Sequence, residues 1–234
     1  MPILNLTAPT YLVQPAEKPK AALIILHEAF AVTPHIARTA ESYAQEGFIC
    51  LAPDLLARAR QAEQPANPLW ETIGPMPSLP VNQQGLDLFR HYMPQRPRES
   101  YLEEIDACAD WLHQNHPTLK TGLLGYCFGG SMAYFTASQR PRFSACVGYY
   151  GGHLAELAAT AQPSCPTLIH LAEHDRYIPL QPALESFKTH HPAAQVHVYD
   201  ADHGFNRDDG ITFNPAAAAL ARQRTLDFLN QYLK

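Results

Sequence analysis

The segment GYCFGG at residues 125–130 places a cysteine between two glycines, in the pattern glycine, any residue, nucleophile, any residue, glycine. It follows a short aliphatic run and opens a segment of helical character, which predicts a sharp turn between a strand and a helix. Such a turn strains its central residue and tolerates only small neighbours. The sulfur of Cys127 would lie near a helix N-terminus, whose dipole favours a thiolate. We therefore predict a nucleophilic cysteine, the alternative being a buried cysteine in an ordinary glycine turn.

A cysteine nucleophile needs a base, and the base needs an acid that orients it. In α/β hydrolases the order along the chain is nucleophile, acid and histidine, each in a loop that follows a strand. Asp175 follows the predicted strand PTLIHLAE, and His203 follows QVHVYD. Both loops lie at the carboxyl ends of their strands, where Cys127 is also expected. We predict a triad of these three residues, with the backbone amide of Phe128 facing a developing oxyanion. A turn aspartate and an ordinary loop histidine are the alternatives.

The elements that must position these residues alternate between strands and helices. The strands are predicted at 21–29, 48–53, 121–126, 143–151, 166–173 and 195–200, and the helices at 33–47, 99–116, 129–139, 181–191 and 219–233. This alternation is typical of a mostly parallel sheet covered by helices. Prolines crowd into residues 54–98, which we interpret as an excursion near the pocket mouth, because neither side of it would close a core alone. A single domain is predicted over 1–234.

Composition excludes several classes of function. The chain has 234 residues, of which 46% are hydrophobic and 17% charged, enough for one large α/β domain. Its 17 Lys+Arg against 22 Asp+Glu give a net charge of −5, which removes the electrostatic basis for general nucleic-acid binding. The longest aliphatic run, residues 23–26, is far below the roughly 20 residues of a membrane helix. The N-terminus lacks the pattern of a signal peptide, so we expect a cytoplasmic protein.

Metal and cofactor chemistry also lacks a sequence pattern. The five cysteines include no C-x-x-C pair, and His190, His191 and His197 have no partners at zinc-ligand spacing. Neither a P-loop nor a G-x-G-x-x-G segment is present. We therefore expect no metal and no cofactor.

Seven segments, in chain order, resemble the dienelactone hydrolase family, which uses a cysteine nucleophile in an α/β-hydrolase fold. They are HEAF at 27–30, APDLLAR at 52–58, GYCFGG at 125–130, VGYYGG at 147–152, EHDRYIP at 173–179, ADHGFNR at 201–207 and RTLDFL at 224–229. The resemblance implies an α/β-hydrolase fold with a mainly parallel central sheet, flanking helices and no large cap domain. It also implies hydrolysis of an ester or enol-lactone, with dienelactone as the leading substrate.

The same resemblance gives roles to residues after the first core strand. Glu28 stands where the family has a glutamate that lies against the cysteine and helps manage its proton, and a carboxylate there disfavours the thiolate until substrate enters. Ala29 would supply the second oxyanion amide. A surface glutamate is the alternative for Glu28. The family usually has a glutamine and a glycine where this chain has His27 and Ala31. We expect His27 to be a hydrogen-bonded structural residue rather than a second base.

Arginines bind the carboxylate of the substrate in this family. Arg207, four residues after His203, matches one of them. The other lies within the excursion, where Arg90, Arg96 and Arg98 are candidates and Arg90 is slightly preferred among the three. The alternative for each is an exposed loop arginine, and for Arg90 that alternative is the favoured interpretation.

The predicted partner is thus a small ester or lactone that bears a carboxylate. One alternative is a carboxylesterase or thioesterase of the same fold that acts on another small acyl substrate. A non-catalytic ligand-binding protein is a further alternative, against which the complete triad argues. The excursion at the pocket mouth decides between a dienelactone hydrolase and a carboxylesterase or thioesterase of the same fold.

Overall fold

The computed structural model describes residues 2–63 and 67–234. The chain divides into two compact units, Met1–Leu119 and Lys120–Lys234. Each unit carries four strands of the α/β pattern, and the prediction of a single domain over residues 1–234 stays a prediction. Within the described residues, no helix combines the length and the apolar character that crossing a membrane requires.

The first unit holds a four-stranded arrangement in the order β1-β2-β4-β3. Its strands are β1 (Ile3–Asn5), β2 (Pro9–Val13), β3 (Ala21–Leu26) and β4 (Phe48–Pro53). The pairs β1/β2 and β2/β4 are antiparallel, whereas β3 and β4 are parallel. Every residue of β3 and β4 is buried, as expected for strands that are covered on both faces. The strands β1 and β2 were not predicted from the sequence, and β3 ends three residues earlier than predicted.

The helix α1 (Pro34–Gln45) connects β3 to β4. Proline at its first position has the backbone angle that a helix needs and lacks the N–H group that would go unpaired there. Gly47 follows the helix with a φ of 91°, in the left-handed region that a glycine adopts without strain. The predicted helix 33–47 is therefore confirmed, with an end set by this glycine.

The proline-rich excursion contains regular structure that the sequence analysis did not predict. It forms α2 (Ala57–Ala62), α3 (Gln83–Tyr92) and a short 3-10 turn at Met93–Gln95. The side chain of Asn82 caps α3 by accepting a hydrogen bond from the backbone N–H of Gly85 at 3.1 Å. Residues 64–66 of the excursion lie outside the described residues.

Charged side chains fasten the excursion to the next helix, α4 (Leu102–Asn115). Arg96 donates to both carboxylate oxygens of the buried Glu104 at 2.7 and 2.8 Å, and to the carbonyl oxygen of Leu55 at 3.1 Å. Arg58 adds an ion pair to Glu104 at 2.9 Å. A buried carboxylate is tolerated only with such partners, so Arg96 holds the excursion in place.

The second unit holds four parallel strands in the order β5-β6-β7-β8. They are β5 (Thr121–Tyr126), β6 (Ala145–Tyr149), β7 (Thr167–Ala172) and β8 (Gln195–Tyr199). All four predicted strands of this unit are confirmed, with shorter bounds for β6, β7 and β8. Because the strands are parallel, the loops that follow them share one edge, which is where α/β proteins place their ligands.

Four helices accompany these strands: α5 (Phe128–Gln139), α6 (Leu154–Thr160), α7 (Leu180–His190) and α8 (Pro215–Tyr232). The helix α6 was not predicted from the sequence, and α8 begins four residues earlier than predicted. The earlier start has a local cause, because the side chain of Asn214 accepts from the backbone N–H of Ala217 at 3.1 Å and proline opens the helix.

A buried polar network ties α8 to the strands. The ring nitrogens of His170 lie 2.8 Å from the hydroxyl of Tyr199 and 3.0 Å from that of Thr225. The Thr225 hydroxyl also lies 2.6 Å from the hydroxyl of Tyr149. Burial holds the pKa of His170 well below its ordinary value, so this imidazole is neutral. One of its nitrogens then donates and the other accepts, which satisfies polar groups from β6, β7, β8 and α8 together.

Candidate active site

The turn between β5 and α5 holds Cys127 at a φ of 51° and a ψ of −116°. Few residues other than glycine adopt a positive φ, so the surrounding contacts must hold this conformation. The backbone N–H of Cys127 donates to the carbonyl of Tyr149 at 2.9 Å, and its carbonyl accepts from Gly130 at 2.9 Å. A Cβ at Gly125 would lie 1.9 Å from the carbonyl oxygen of Gly129. The predicted sharp turn is thus present, and its glycine is required sterically.

Close backbone packing also explains the glycines of the facing strand and loop. A Cβ at Gly130 would lie 2.7 Å from the carbonyl oxygen of Tyr149, and one at Gly151 would lie 2.8 Å from the backbone nitrogen of Ser131. Side chains at these positions would push α5 away from β6 and from the loop that follows it. The GYCFGG and VGYYGG segments therefore pack directly against each other, next to Cys127.

Cys127, His203 and Asp175 form one hydrogen-bonded chain. The Nε2 atom of His203 lies 3.2 Å from the Sγ atom of Cys127, and its Nδ1 atom lies 2.7 Å from Oδ2 of Asp175. The other carboxylate oxygen, Oδ1, accepts from the backbone N–H groups of Tyr177 at 2.8 Å and Ile178 at 3.1 Å. The structure therefore brings together the three residues that the sequence analysis placed in loops after β5, β7 and β8.

Electrostatics at this site favour a proton on His203. Burial alone would lower the pKa of the imidazole, but the negative charge of a Cys127 thiolate and the hydrogen bond to Asp175 outweigh burial and raise the pKa of His203 to about 10. An imidazole with that pKa is protonated at neutral pH. An imidazolium next to the sulfur stabilises the negative charge of a thiolate, and the thiolate is the nucleophilic form of a cysteine.

Two tyrosine rings pack against His203. The ring of Tyr150 lies 5.1 Å from the imidazole, between centroids, and that of Tyr177 lies 5.0 Å away. Tyr150 has a φ of 37°, and its backbone N–H donates to the carbonyl of His170 at 2.8 Å. Neither contact was predicted from the sequence. The consecutive tyrosines before Gly151 were a signal, whereas Tyr177 had none beyond its place two residues after Asp175.

The loop after β3, in the first unit, holds Glu28, Ala29 and His27. Glu28 and Ala29 are buried, and their predicted roles stay predictions. His27 accepts a hydrogen bond from the backbone N–H of Leu55 at 3.0 Å through Nε2, and its Nδ1 lies 2.5 Å from the carbonyl oxygen of Glu28. Burial lowers the pKa of His27, so the neutral ring carries its proton on Nδ1 and donates it to that carbonyl. Both nitrogens bind backbone groups, as expected for a structural histidine.

Ala31, where the family usually has glycine, has a φ of 64°. This left-handed conformation costs an L-residue with a side chain roughly 1–2 kcal/mol. Ala31 therefore has a backbone conformation that glycine would adopt without strain, and its own methyl group makes that conformation strained.

The predicted substrate arginines have different surroundings. Arg207, in the loop between β8 and α8, is 5% exposed, and its Nε lies 2.7 Å from Oδ1 of Asp209. That loop is closed by the hydroxyl of Thr212, which donates to the carbonyl of His203 at 2.7 Å. Arg90 lies on α3 with its side chain 52% exposed and paired with Asp87 at 3.3 Å.

The other two candidates of the excursion lie at its end. Arg96 is bound to Glu104 as described, and Arg98 begins a 3-10 turn, Arg98–Tyr101. None of these observations tests the substrate-binding roles, which stay predictions for Arg207 and Arg90.

One group of potential metal ligands occurs among residues 2–63 and 67–234. Ligand atoms of Glu173, His174 and Asp200 all lie within 4.8 Å of one another, and the three residues are exposed. His174 is hydrogen-bonded to Asp200 at 2.8 Å, and this bond raises the pKa of the imidazole. Exposed acidic groups are common without a metal, so the hydrogen bond between His174 and Asp200 explains the cluster as a surface pair.

Comparisons with known proteins identify relatives along nearly the whole chain. The sequence profile of the Dienelactone hydrolase family matches residues 8–233. The carboxymethylenebutenolidase of Pseudomonas putida is 31% identical over 232 residues, a match that covers 92% of this chain and 87% of that relative.

Solved structures show the same fold. The dienelactone hydrolase of Anabaena variabilis superposes with a TM-score of 0.66 at 19% identity, over 97% of this chain and 92% of that chain. An alpha-beta serine hydrolase homologue from Coxiella burnetii superposes with a TM-score of 0.62 at 14% identity, over 94% and 90%. These likenesses confirm the predicted α/β-hydrolase fold.

Proposed function

Because the chain belongs to the dienelactone hydrolase family, it is a hydrolase of ester or lactone bonds, and we propose that it opens a dienelactone through a Cys127 acyl-enzyme. The observation that carries the proposal is the hydrogen-bonded chain from Cys127 through His203 to Asp175, at 3.2 and 2.7 Å. The name of the Pseudomonas putida relative, carboxymethylenebutenolidase, supports a dienelactone as the substrate.

In the first step the Cys127 thiolate attacks the lactone carbonyl carbon and forms a carbon–sulfur bond. The carbonyl electrons move to the oxygen, which becomes an oxyanion. The backbone amide of Phe128, at the N-terminus of α5, supports that charge, since the helix dipole is positive at this end. The family resemblance supports Ala29 as the source of the second amide.

In the second step the oxyanion collapses and the ring carbon–oxygen bond breaks. The enolate leaving group takes the proton from Nε2 of His203, and the acyl group stays on the sulfur as a thioester. Asp175, held by two backbone N–H groups, keeps the imidazole oriented while its charge changes.

Hydrolysis of the thioester restores the enzyme. His203, now neutral, takes a proton from water as the water oxygen attacks the acyl carbon. The thiolate leaves, and the product departs as a dicarboxylate after the new carboxyl group releases its proton to solvent. The site is again a thiolate beside an imidazolium, so the proton balance closes with one water consumed. No step needs a metal or a cofactor.

Two further residues complete the proposal on the strength of the family resemblance. Before substrate binds, the carboxylate of Glu28 disfavours the thiolate and keeps Cys127 a thiol that resists oxidation. As substrate enters, His203 takes the proton of that thiol and shares it with Glu28, which gives the thiolate and imidazolium of the first step. Arg207 binds the substrate carboxylate with charge-assisted hydrogen bonds, which the planar guanidinium can make in parallel pairs.

Replacing Cys127 with alanine tests the proposed chemistry. The rate of dienelactone hydrolysis should fall by at least about a hundredfold, in line with the loss of a nucleophile, and alkylation of the wild type should abolish it. Cys165→Ala is the matched control, because it removes another thiol at the margin of the core. Full activity in Cys127→Ala would overturn the mechanism. Turnover of aryl esters or thioesters without turnover of any dienelactone would overturn the assignment of a dienelactone as the substrate.

A further inference from the structure

The ion pair between Arg207 and Asp209 lies on the loop that carries His203. The guanidinium of Arg207 is 5% exposed, whereas the side chain of Asp209 is 38% exposed, and the distance between Nε and Oδ1 is 2.7 Å. The backbone holds the pair in a tight turn, because the N–H of Gly210 donates to the carbonyl of Arg207 at 3.0 Å. Asp208, the residue between the two partners, provides a second carboxyl group on the same turn.

An arginine that is already paired recognises a carboxylate less well. The attraction between the guanidinium and a substrate carboxylate is reduced by repulsion from the Asp209 carboxylate, which lies within hydrogen-bond distance of the same group. Solvent screens part of this repulsion, because the side chain of Asp209 is 38% exposed, although that of Arg207 is nearly excluded from water. Together the two side chains carry no net charge when both are ionised.

We propose that Asp209 is a specificity-determining residue that weakens the selection of carboxylate-bearing substrates by Arg207. The proposal rests on the proposed function, in which Arg207 meets the substrate carboxylate. It also describes the substrate class: when the charge of Arg207 is balanced by Asp209, the enzyme accepts neutral lactones and esters as well as acidic ones. The alternative is that Asp209 strengthens this selection, because a carboxylate can also orient a guanidinium for its ligand.

A substrate pair that differs only in charge separates these two effects. We choose a dienelactone and the methyl ester of its exocyclic carboxylate, and compare kcat/KM for opening of the lactone ring. In Asp209→Asn the ratio of acidic to neutral kcat/KM should rise about tenfold over the wild type, which equals about 1.4 kcal/mol of differential binding. Asp209→Glu keeps the charge, so its ratio should stay near that of the wild type.

Asp208→Asn is the matched control, because it makes the same change of charge one residue away. Its ratio should stay within about twofold of the wild type. An equal rise in both asparagine variants would mean that loop charge in general, not the ion pair, sets the preference. A fall of the ratio in Asp209→Asn would mean that Asp209 orients Arg207 and would overturn the proposal, as would an unchanged ratio.

The dependence on Arg207 is tested in the double variant. Adding Asp209→Asn to Arg207→Ala should raise the ratio less than adding it to the wild type, since without the guanidinium the substrate carboxylate is no longer drawn close to Asp209 and their repulsion is weaker. The melting temperature of each variant shows that it is folded. If Cys127→Ala loses activity and Asp209→Asn has no effect, the proposed function stands and this inference fails. If Cys127→Ala keeps activity, the proposed function itself fails.

Discussion

The ring of Tyr177 stands at 82° to the imidazole of His203, with 5.0 Å between their centroids. Tyr177 also donates its backbone N–H to Oδ1 of Asp175, while Oδ2 of the same carboxylate binds His203. One carboxylate therefore fixes both the imidazole and the residue whose ring packs against it. Because Tyr177 is 45% exposed and the side chain of Asp175 is only 1% exposed, the tyrosine is the solvent-facing member of this group.

Removing the ring of Tyr177 should impair the orientation of His203. Aromatic pairs contribute roughly 0.5–1.5 kcal/mol beyond burial, so Tyr177→Ala should lower kcat about two- to tenfold with little change in KM. Tyr177→Phe retains the ring and should recover most of the rate. Steady-state kinetics of the two variants, with their melting temperatures, test this expectation. An equal loss in Tyr177→Phe would assign the effect to the hydroxyl group.

The charge state of His203 predicts how activity changes with pH. Its pKa is raised from 6.5 to about 10, so the imidazole keeps its proton below that range and loses it above. Since the imidazolium donates to the leaving enolate, kcat/KM should fall as the pH rises through about 10. Rates corrected for spontaneous lactone hydrolysis test this prediction. Activity that instead appears as the pH rises through about 6.5 would indicate a neutral histidine in the free enzyme.

The same proton stabilises the fold. The histidine pKa is higher in the folded than in the unfolded chain, so its contribution to the free energy of unfolding is complete below about 6.5 and is lost as the pH rises through about 10. Urea unfolding of the wild type against His203→Gln, at several pH values, measures this contribution. A difference between the two proteins that grows with pH would contradict the assigned ion pair.

Replacing Glu28 with glutamine should slow turnover while the fold stays intact. A positioned proton acceptor contributes about a hundredfold or more to many enzymes, so a shared one should cost at least about tenfold in kcat. Glu17→Gln makes the same change at an exposed position of the first unit and serves as the control. Wild-type turnover in Glu28→Gln would show that the glutamate does not handle the proton.

Replacing Arg207 with alanine should raise KM for an acidic lactone about ten- to a hundredfold, because a charge-assisted contact contributes roughly 1.5–3 kcal/mol. The loss on a neutral aryl acetate should be much smaller. Michaelis constants for both substrates are compared. Equal losses on both would indicate that Arg207 supports the loop of His203, and no loss on either would weaken the dienelactone assignment.

Glycine at position 31 should stabilise the protein. The φ of 64° at Ala31 is disfavoured by roughly 1–2 kcal/mol for an L-residue, whereas glycine adopts it freely. Glycine also makes the unfolded chain more flexible, which offsets roughly 0.4–1 kcal/mol of that gain. Chemical unfolding of Ala31→Gly should therefore give an increase of up to about 1.5 kcal/mol. A clear decrease would mean that the methyl group of Ala31 packs more favourably than the strain costs.

The triad was predictable from the sequence because its requirements are local. The turn at Cys127 demands small residues at fixed positions, and Asp175 and His203 directly follow strands whose apolar runs are easily read. The boundary of β3 was harder, since its end at Leu26 depends on His27 turning to bind the backbone of Leu55, a residue distant in sequence.

The aromatic contacts and the excursion could not be inferred in the same way. The packing of Tyr177 on His203 depends on how two loops meet, and no periodic pattern records such a contact. In the excursion, the prolines concealed α3, whose start depends on the cap provided by Asn82. The pairing of Arg207 with Asp209 likewise depends on side-chain conformation within one turn.

The bond from Thr225 to Tyr149 has a consequence for how the enzyme becomes active during synthesis. Thr225 lies in the last helix, so it leaves the ribosome after every other part of the buried network. Until it docks, the hydroxyl of Tyr149 and a nitrogen of His170 lack this partner, although the backbone of Tyr149 holds Cys127. A nascent or truncated chain that ends before α8 therefore lacks two of the hydrogen bonds that support its nucleophile.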